Sequence, residues 1–118
     1  MKGNWVLIGI KVLLTLAFVS AGLAKLFGVQ MLVDEFETIG LGQWFRYVTG
    51  ILEISGAVLL WLPGRAAYGA GLLVCIMIGA LVAHATRLGL GTAPPAAVLL
   101  ILAGVVLYNT RAQLPATN

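Results

Sequence analysis

The chain has 118 residues, of which 61% are hydrophobic and only 9% charged, with a formal net charge of +3. A water-soluble domain of this size carries about 25% charged residues, so the composition points to an integral membrane protein built as a single domain, 1–118. The single cysteine excludes a disulfide framework or thiol relay, the single histidine excludes a bis-histidine haem or His-rich metal site, and the scattered positive charge leaves no footprint for nucleic acid.

A helix needs about 20 apolar residues to cross the hydrocarbon core. The first expected span covers 5–27, interrupted by Lys11, whose long side chain can snorkel to the headgroups. Lys2, the apolar run and the small residues Ser20, Ala21, Gly22 and Ala24 imitate a cleaved signal peptide. Cleavage would remove one of four spans together with its polar positions, so the segment is read as retained. The second span covers 46–62 and stops at Pro63-Gly64. The third covers 66–86, and the fourth 95–110, opening on Pro95, a favoured first-turn residue. The second and fourth are short for a span and are expected to cross with little tilt. With short connections between them, the four make an all-α antiparallel four-helix bundle.

The connection between the first two spans has its own periodicity. Val29, Leu32, Val33, Phe36 and Ile39 fill one helical arc, while Gln30, Asp34, Glu37 and Thr38 fall opposite. This predicts a short interfacial amphipathic helix over 29–39, lying across one mouth of the bundle; an ordinary amphipathic linker is the plainer alternative. Gly40 and Gly42 end it, and Trp44 and Phe45 follow as an aromatic anchor. Ala66, Ala67, Gly69, Ala70, Gly71, Gly79, Ala80 and Ala83 make the third span thin, as close helix packing requires. Cys75, in an apolar run, is expected to pack in the core. Trp5, Trp44, Trp61 and Tyr108 fit two aromatic belts. With four spans, Lys2, Lys11, Arg65 and Arg111 share one side, and Lys25, Arg46 and Arg87 share the other with every acidic residue. Four basic residues against three, with Lys11 counted on the first side as a snorkelling residue, put both termini in the cytoplasm, and insertion in both orientations is the alternative.

Glu53 has no other charge around it in 47–62. A carboxylate at membrane depth costs about 2.5–3.5 kcal/mol even on the lenient insertion scale, so its presence calls for a partner or a use. The up-down-up topology puts Lys25, near the end of the first span, and His84, near the end of the third, at its level. Arg46 precedes Glu53 by seven residues on the same helical face, and Arg87 stands about one turn beyond His84. The constellation is therefore Lys25, Arg46, Glu53, His84 and Arg87 beneath the interfacial helix, with Trp44 and Phe45 at the mouth. A structural ion pair between Lys25 and Glu53 is one account of it. A polar floor that binds a ligand or handles a proton is the other, because a histidine beside a carboxylate is a common site composition.

Three segments together resemble the DoxX-like family of small bacterial membrane proteins. They are Ala21-Gly22-Leu23-Ala24-Lys25-Leu26, Tyr47-x-x-Gly50-x-x-Glu53-x-x-Gly56 and Met77-x-Gly79-Ala80-x-x-x-His84. The resemblance covers nearly the whole chain. It implies a four-helix bundle in the bacterial inner membrane with Lys25, Glu53 and His84 as intramembrane polar positions. It also implies a link to redox systems, since a DoxX protein associates with superoxide dismutase and a sulfurtransferase, and the similar DoxD is a subunit of thiosulfate:quinone oxidoreductase. Distant eukaryotic relatives act as cargo receptors or assembly chaperones. The chain lacks the cysteines, haem ligands and flavin motif of an independent redox enzyme. The function expected is therefore an accessory that binds a small lipophilic molecule, a quinone or a lipid, with no covalently bound cofactor and with a redox partner protein or a second copy as protein partners. The alternatives are a small proton-coupled transporter using Glu53, as in small multidrug-resistance proteins of similar length, or a non-catalytic scaffold subunit.

Overall fold

The computed structural model describes residues 2–89, 91 and 94–113. They form five α-helices, and no strand occurs among them: α1 Lys2–Phe27, α2 Gln30–Ile39, α3 Gln43–Leu59, α4 Ala66–Ala83 and α5 Pro94–Thr110. A π turn, His84–Leu88, prolongs α4, and a 3-10 turn, Arg111–Gln113, prolongs α5. The connection expected between the third and fourth spans lies partly outside the described residues.

Glycines with positive φ set the helix ends near the cavity described below. Gly28 adopts φ +73° just past α1, and the Val29 amide donates to the Ala24 carbonyl at 3.1 Å. This is the 6→1 hydrogen bond of a Schellman stop, whose left-handed residue is cheapest as glycine. At Gly42, with φ 110°, the chain reverses, and the Phe45 amide donates to the Gly42 carbonyl at 3.2 Å. The third helix thus begins three residues before the expected 46, and Trp44 and Phe45 lie in its first turn instead of in a connection.

Helices α1 and α3 pack along each other, as do α3 and α4, and α4 and α5; α1 and α5 meet more lightly. Two crossings are tight because glycines line them. A Cβ on Gly22 would lie 2.8 Å from the Gly50 carbonyl oxygen, and one on Gly50 2.9 Å from that of Gly22. Between α3 and α4, a Cβ on Gly69 would lie 2.6 Å from the Gly56 carbonyl oxygen. Helix α3 is thus pinned to α1 at mid-length and to α4 toward its end, which leaves a wedge between α3 and α4 at the α2 end. Leu14, Phe18, Leu60, Leu73 and Val106 fill the core on the other side of that wedge.

The outer faces are apolar too, with Leu16, Val82 and Ile101 exposed by 62%, 57% and 65%. Two segments, Trp5–Phe27 and Ala66–Leu88, each of 23 residues, are long and apolar enough to cross a membrane, and α5 is apolar but shorter. Lys11 is half-buried, with its ammonium 4.7 Å from the centre of the Trp61 ring. The Trp61 indole in turn donates to the Thr15 hydroxyl at 2.7 Å and ties the end of α3 to α1.

The crossings make a prediction. Gly69→Ala should lower the thermal midpoint of the detergent-solubilised protein by the equivalent of about 1–3 kcal/mol, the usual effect of forcing atoms into a packed contact. Gly79→Ala, whose added Cβ meets nothing within 4 Å, should leave the midpoint unchanged or raise it. Equal midpoints for the two variants would show that the α3–α4 crossing is looser than described.

Candidate functional site

The wedge holds a cavity of about 390 Å³ lined by residues from all five helices and the π turn. That size falls in the range of small-molecule pockets. Most of the wall is apolar, with Phe36, Phe45, Leu52, Met77 and Leu99 among its residues. The polar lining residues are Lys25, Glu35, Thr49, Glu53 and His84.

Lys25 and Glu53 are a pair. Lys25 Nζ donates to Glu53 Oε1 at 2.7 Å, with the two side chains 12% and 2% exposed. The tight Gly22–Gly50 crossing brings their helices close enough for the four-carbon stem of Lys25 to reach across. A carboxylate this buried is tolerated only with a cation or donor against it, and Lys25 meets that need. His84 opens the π turn and is half-buried in the cavity wall. Its carbonyl accepts from the Gly89 amide at 2.7 Å, the wide i→i+5 bond of a π turn; such turns occur often at functional positions. The Thr49 hydroxyl donates to the Phe45 carbonyl of its own helix at 2.8 Å.

The structure places the other three sequence-predicted residues outside the cavity lining. Arg46 is buried, and its guanidinium works as a bracket: Nε donates to Gln43 Oε1 at 2.8 Å and Nη1 donates to the Lys25 carbonyl. Gln43 Nε2 continues to the Val33 carbonyl at 2.9 Å. One chain of side chains thus links α1, α3 and α2 and satisfies one of the carbonyls that a helix end leaves without a partner. Arg46 also lies over the Tyr47 ring, with 4.4 Å from its Cζ to the ring centre. Arg87 is exposed on the π turn. Trp44 is 61% exposed, and its indole donates to the Leu41 carbonyl at 2.9 Å while its ring meets Phe45 edge-on at 5.7 Å.

Glu35 and Cys75 are among the lining residues absent from the sequence-based site. Glu35 stands one turn before Ile39, at the edge of the apolar arc of α2, where spacing alone assigns it to neither face. Cys75, expected in the core, is instead exposed and lines the cavity. A helix as thin as α4 leaves its neighbouring positions uncovered once α3 diverges from it.

A profile of the DoxX-like family matches residues 9–106, and the chain belongs to that family. Uncharacterized protein YdgD of Bacillus subtilis (strain 168) is similar, 39% identical over 82 residues that cover 65% of this chain and 71% of that protein. No solved structure matches the chain. The family suggests a membrane protein, and the two long apolar segments are compatible with one.

A buried ion pair of this kind should show strong coupling. Lys25→Met alone strands the Glu53 carboxylate and should cost about 3 kcal/mol of stability, whereas Lys25→Met combined with Glu53→Leu should recover most of it. Thermal unfolding of the two single variants and the double variant in one detergent measures the coupling. Simple additivity would mean the pair contributes nothing as a pair.

Proposed function

We propose that this DoxX-like protein is an integral membrane protein of the bacterial inner membrane whose four longer helices span the bilayer with both termini cytoplasmic, and that it binds a small lipophilic molecule in the cavity beneath α2. The ligand class is a quinone or a lipid. The protein acts as an accessory to a redox system, in which a partner protein supplies the electron-transfer cofactor. The observation that carries the reading is the combination of an apolar cavity of about 390 Å³ with a buried Lys25–Glu53 pair in its wall. Bundles build ligand sites from side chains on facing helices in this manner, and pockets for lipophilic molecules pair apolar walls with a few fixed polar groups.

The residues divide the work. The Lys25–Glu53 pair supplies charge that is already matched, so an uncharged ring or acyl chain can lie against it without stranding an ion. His84 offers an imidazole to a ligand carbonyl. Arg46 positions Lys25 by holding the end of α1. Trp44, at the outer edge of α3, sits at the headgroup level, where aromatic residues are favoured.

Native mass spectrometry of the gently extracted protein tests the proposal. Wild-type protein should retain a bound quinone or lipid, and Gly79→Phe, which projects a ring from the cavity wall into open space, should lose most of it with an unchanged thermal midpoint. Wild-type protein that carries no molecule beyond the bulk lipid mixture would overturn the reading.

A further inference from the structure

The charges around the cavity do not balance, and the imbalance says what the ligand should carry. Glu53 is matched by Lys25. Arg46 is committed to Gln43 and to the Lys25 carbonyl, and Arg87 is exposed and outside the lining. Glu35, on α2, lines the cavity half-buried, and among the described residues it has no hydrogen-bond or ion-pair partner. One carboxylate therefore remains over an apolar pocket with no cation of the protein assigned to it.

The surroundings of Glu35 add a second element. Phe36, which is 5% exposed, and Phe45 both line the cavity, and their rings are 5.9 Å apart at 55° to each other. An aromatic pair and a carboxylate in one lining supply the chemistry that recognises amines and quaternary ammonium groups, with the half-buried Phe45 offering the more accessible ring and Phe36 packed behind it. An anionic head would meet the reverse: the lining's lysine is already engaged at 2.7 Å, and Glu35 would repel it.

We propose that the ligand of this cavity carries a positively charged head, a protonated amine or a quaternary ammonium on a lipophilic body, seated between the Glu35 carboxylate and the rings of Phe36 and Phe45. This rests on the reading that the cavity binds a lipophilic molecule, and of the two ligand classes named there it selects an ammonium-headed lipid over a quinone. The paired Lys25 and Glu53, deeper on α1 and α3, then face the body of the ligand and Glu35 faces its head.

Cys75 provides the readout, because it is the chain's single thiol and lines the same cavity. The rate of its alkylation by N-ethylmaleimide is followed in uncharged maltoside micelles with decyltrimethylammonium, 1-decanol or decylsulfonate added. Decyltrimethylammonium should slow alkylation at a concentration about five- to tenfold lower than decanol does, a factor set by one ring-cation contact and one partly exposed ion pair. Decylsulfonate should be the weakest of the three. Glu35→Gln should bring the ammonium and decanol values together, and Glu35→Lys should favour the sulfonate. If all three probes protect equally, or if the ammonium preference survives in Glu35→Gln, the charge assignment falls while the cavity reading stands. If no probe protects Cys75, the cavity does not take amphiphiles, and both fall.

Discussion

A carboxylate sealed inside an apolar bundle has to be matched by a cation, and the 2.7 Å contact between Lys25 Nζ and Glu53 Oε1 is where this chain meets that demand. Much else in the structure serves the contact. The mutual approach of Gly22 and Gly50 sets α1 and α3 close together. The left-handed turn at Gly28 stops α1 soon after Lys25, and a Cβ there would come within 3.3 Å of the Arg46 guanidinium. Arg46 in turn holds the Lys25 carbonyl. Removing any one of these parts leaves a buried charge with a worse partner, the situation that low-dielectric interiors penalise most.

The second constraint is steric. Helix α3 has two glycine-lined contacts, one at mid-length and one near its end, on different neighbours, so it cannot lie flush against α4 over its whole length. The space left at the α2 end is the cavity. Its size therefore follows from which positions carry no side chain, and its chemistry from which residues happen to face the gap. Backbone contacts of this kind hardly deform, whereas larger side chains could shift rotamer and close the wedge.

Part of this was legible in the amino-acid sequence. The helices are carried by long apolar runs, and charges inside such runs stand out, so Lys25, Glu53 and His84, which line one cavity, could be singled out from the sequence. The amphipathic segment around Phe36 was equally plain from its spacing. Other parts were hidden for physical reasons. Arg46 stands out by its seven-residue spacing from Glu53, but its partners are a glutamine and a backbone carbonyl, and a carbonyl is the same for every residue, so no sequence pattern marks its role as a bracket. Glu35 sits at the border of the apolar arc of α2, where periodicity assigns a residue to neither face. Cys75 belongs to a helix that is hydrophobic all round, and such a helix gives no sign of which side its neighbours will cover.

The π turn at His84–Leu88 has a consequence of a different kind. Its hydrogen-bonded loop contains one residue more than an ordinary α turn, so it acts as a spacer within an otherwise regular rod. Five residues of this wide turn and four of an ordinary turn each bring the chain about once around the axis, so the extra residue is absorbed locally. The departure toward α5 therefore keeps nearly the direction that an uninterrupted α turn would give it, while His84 and Leu88, the first and last residues of the turn, both line the cavity. Chain length at this one turn can thus change by a residue without re-aiming the helix that closes the far wall of the cavity.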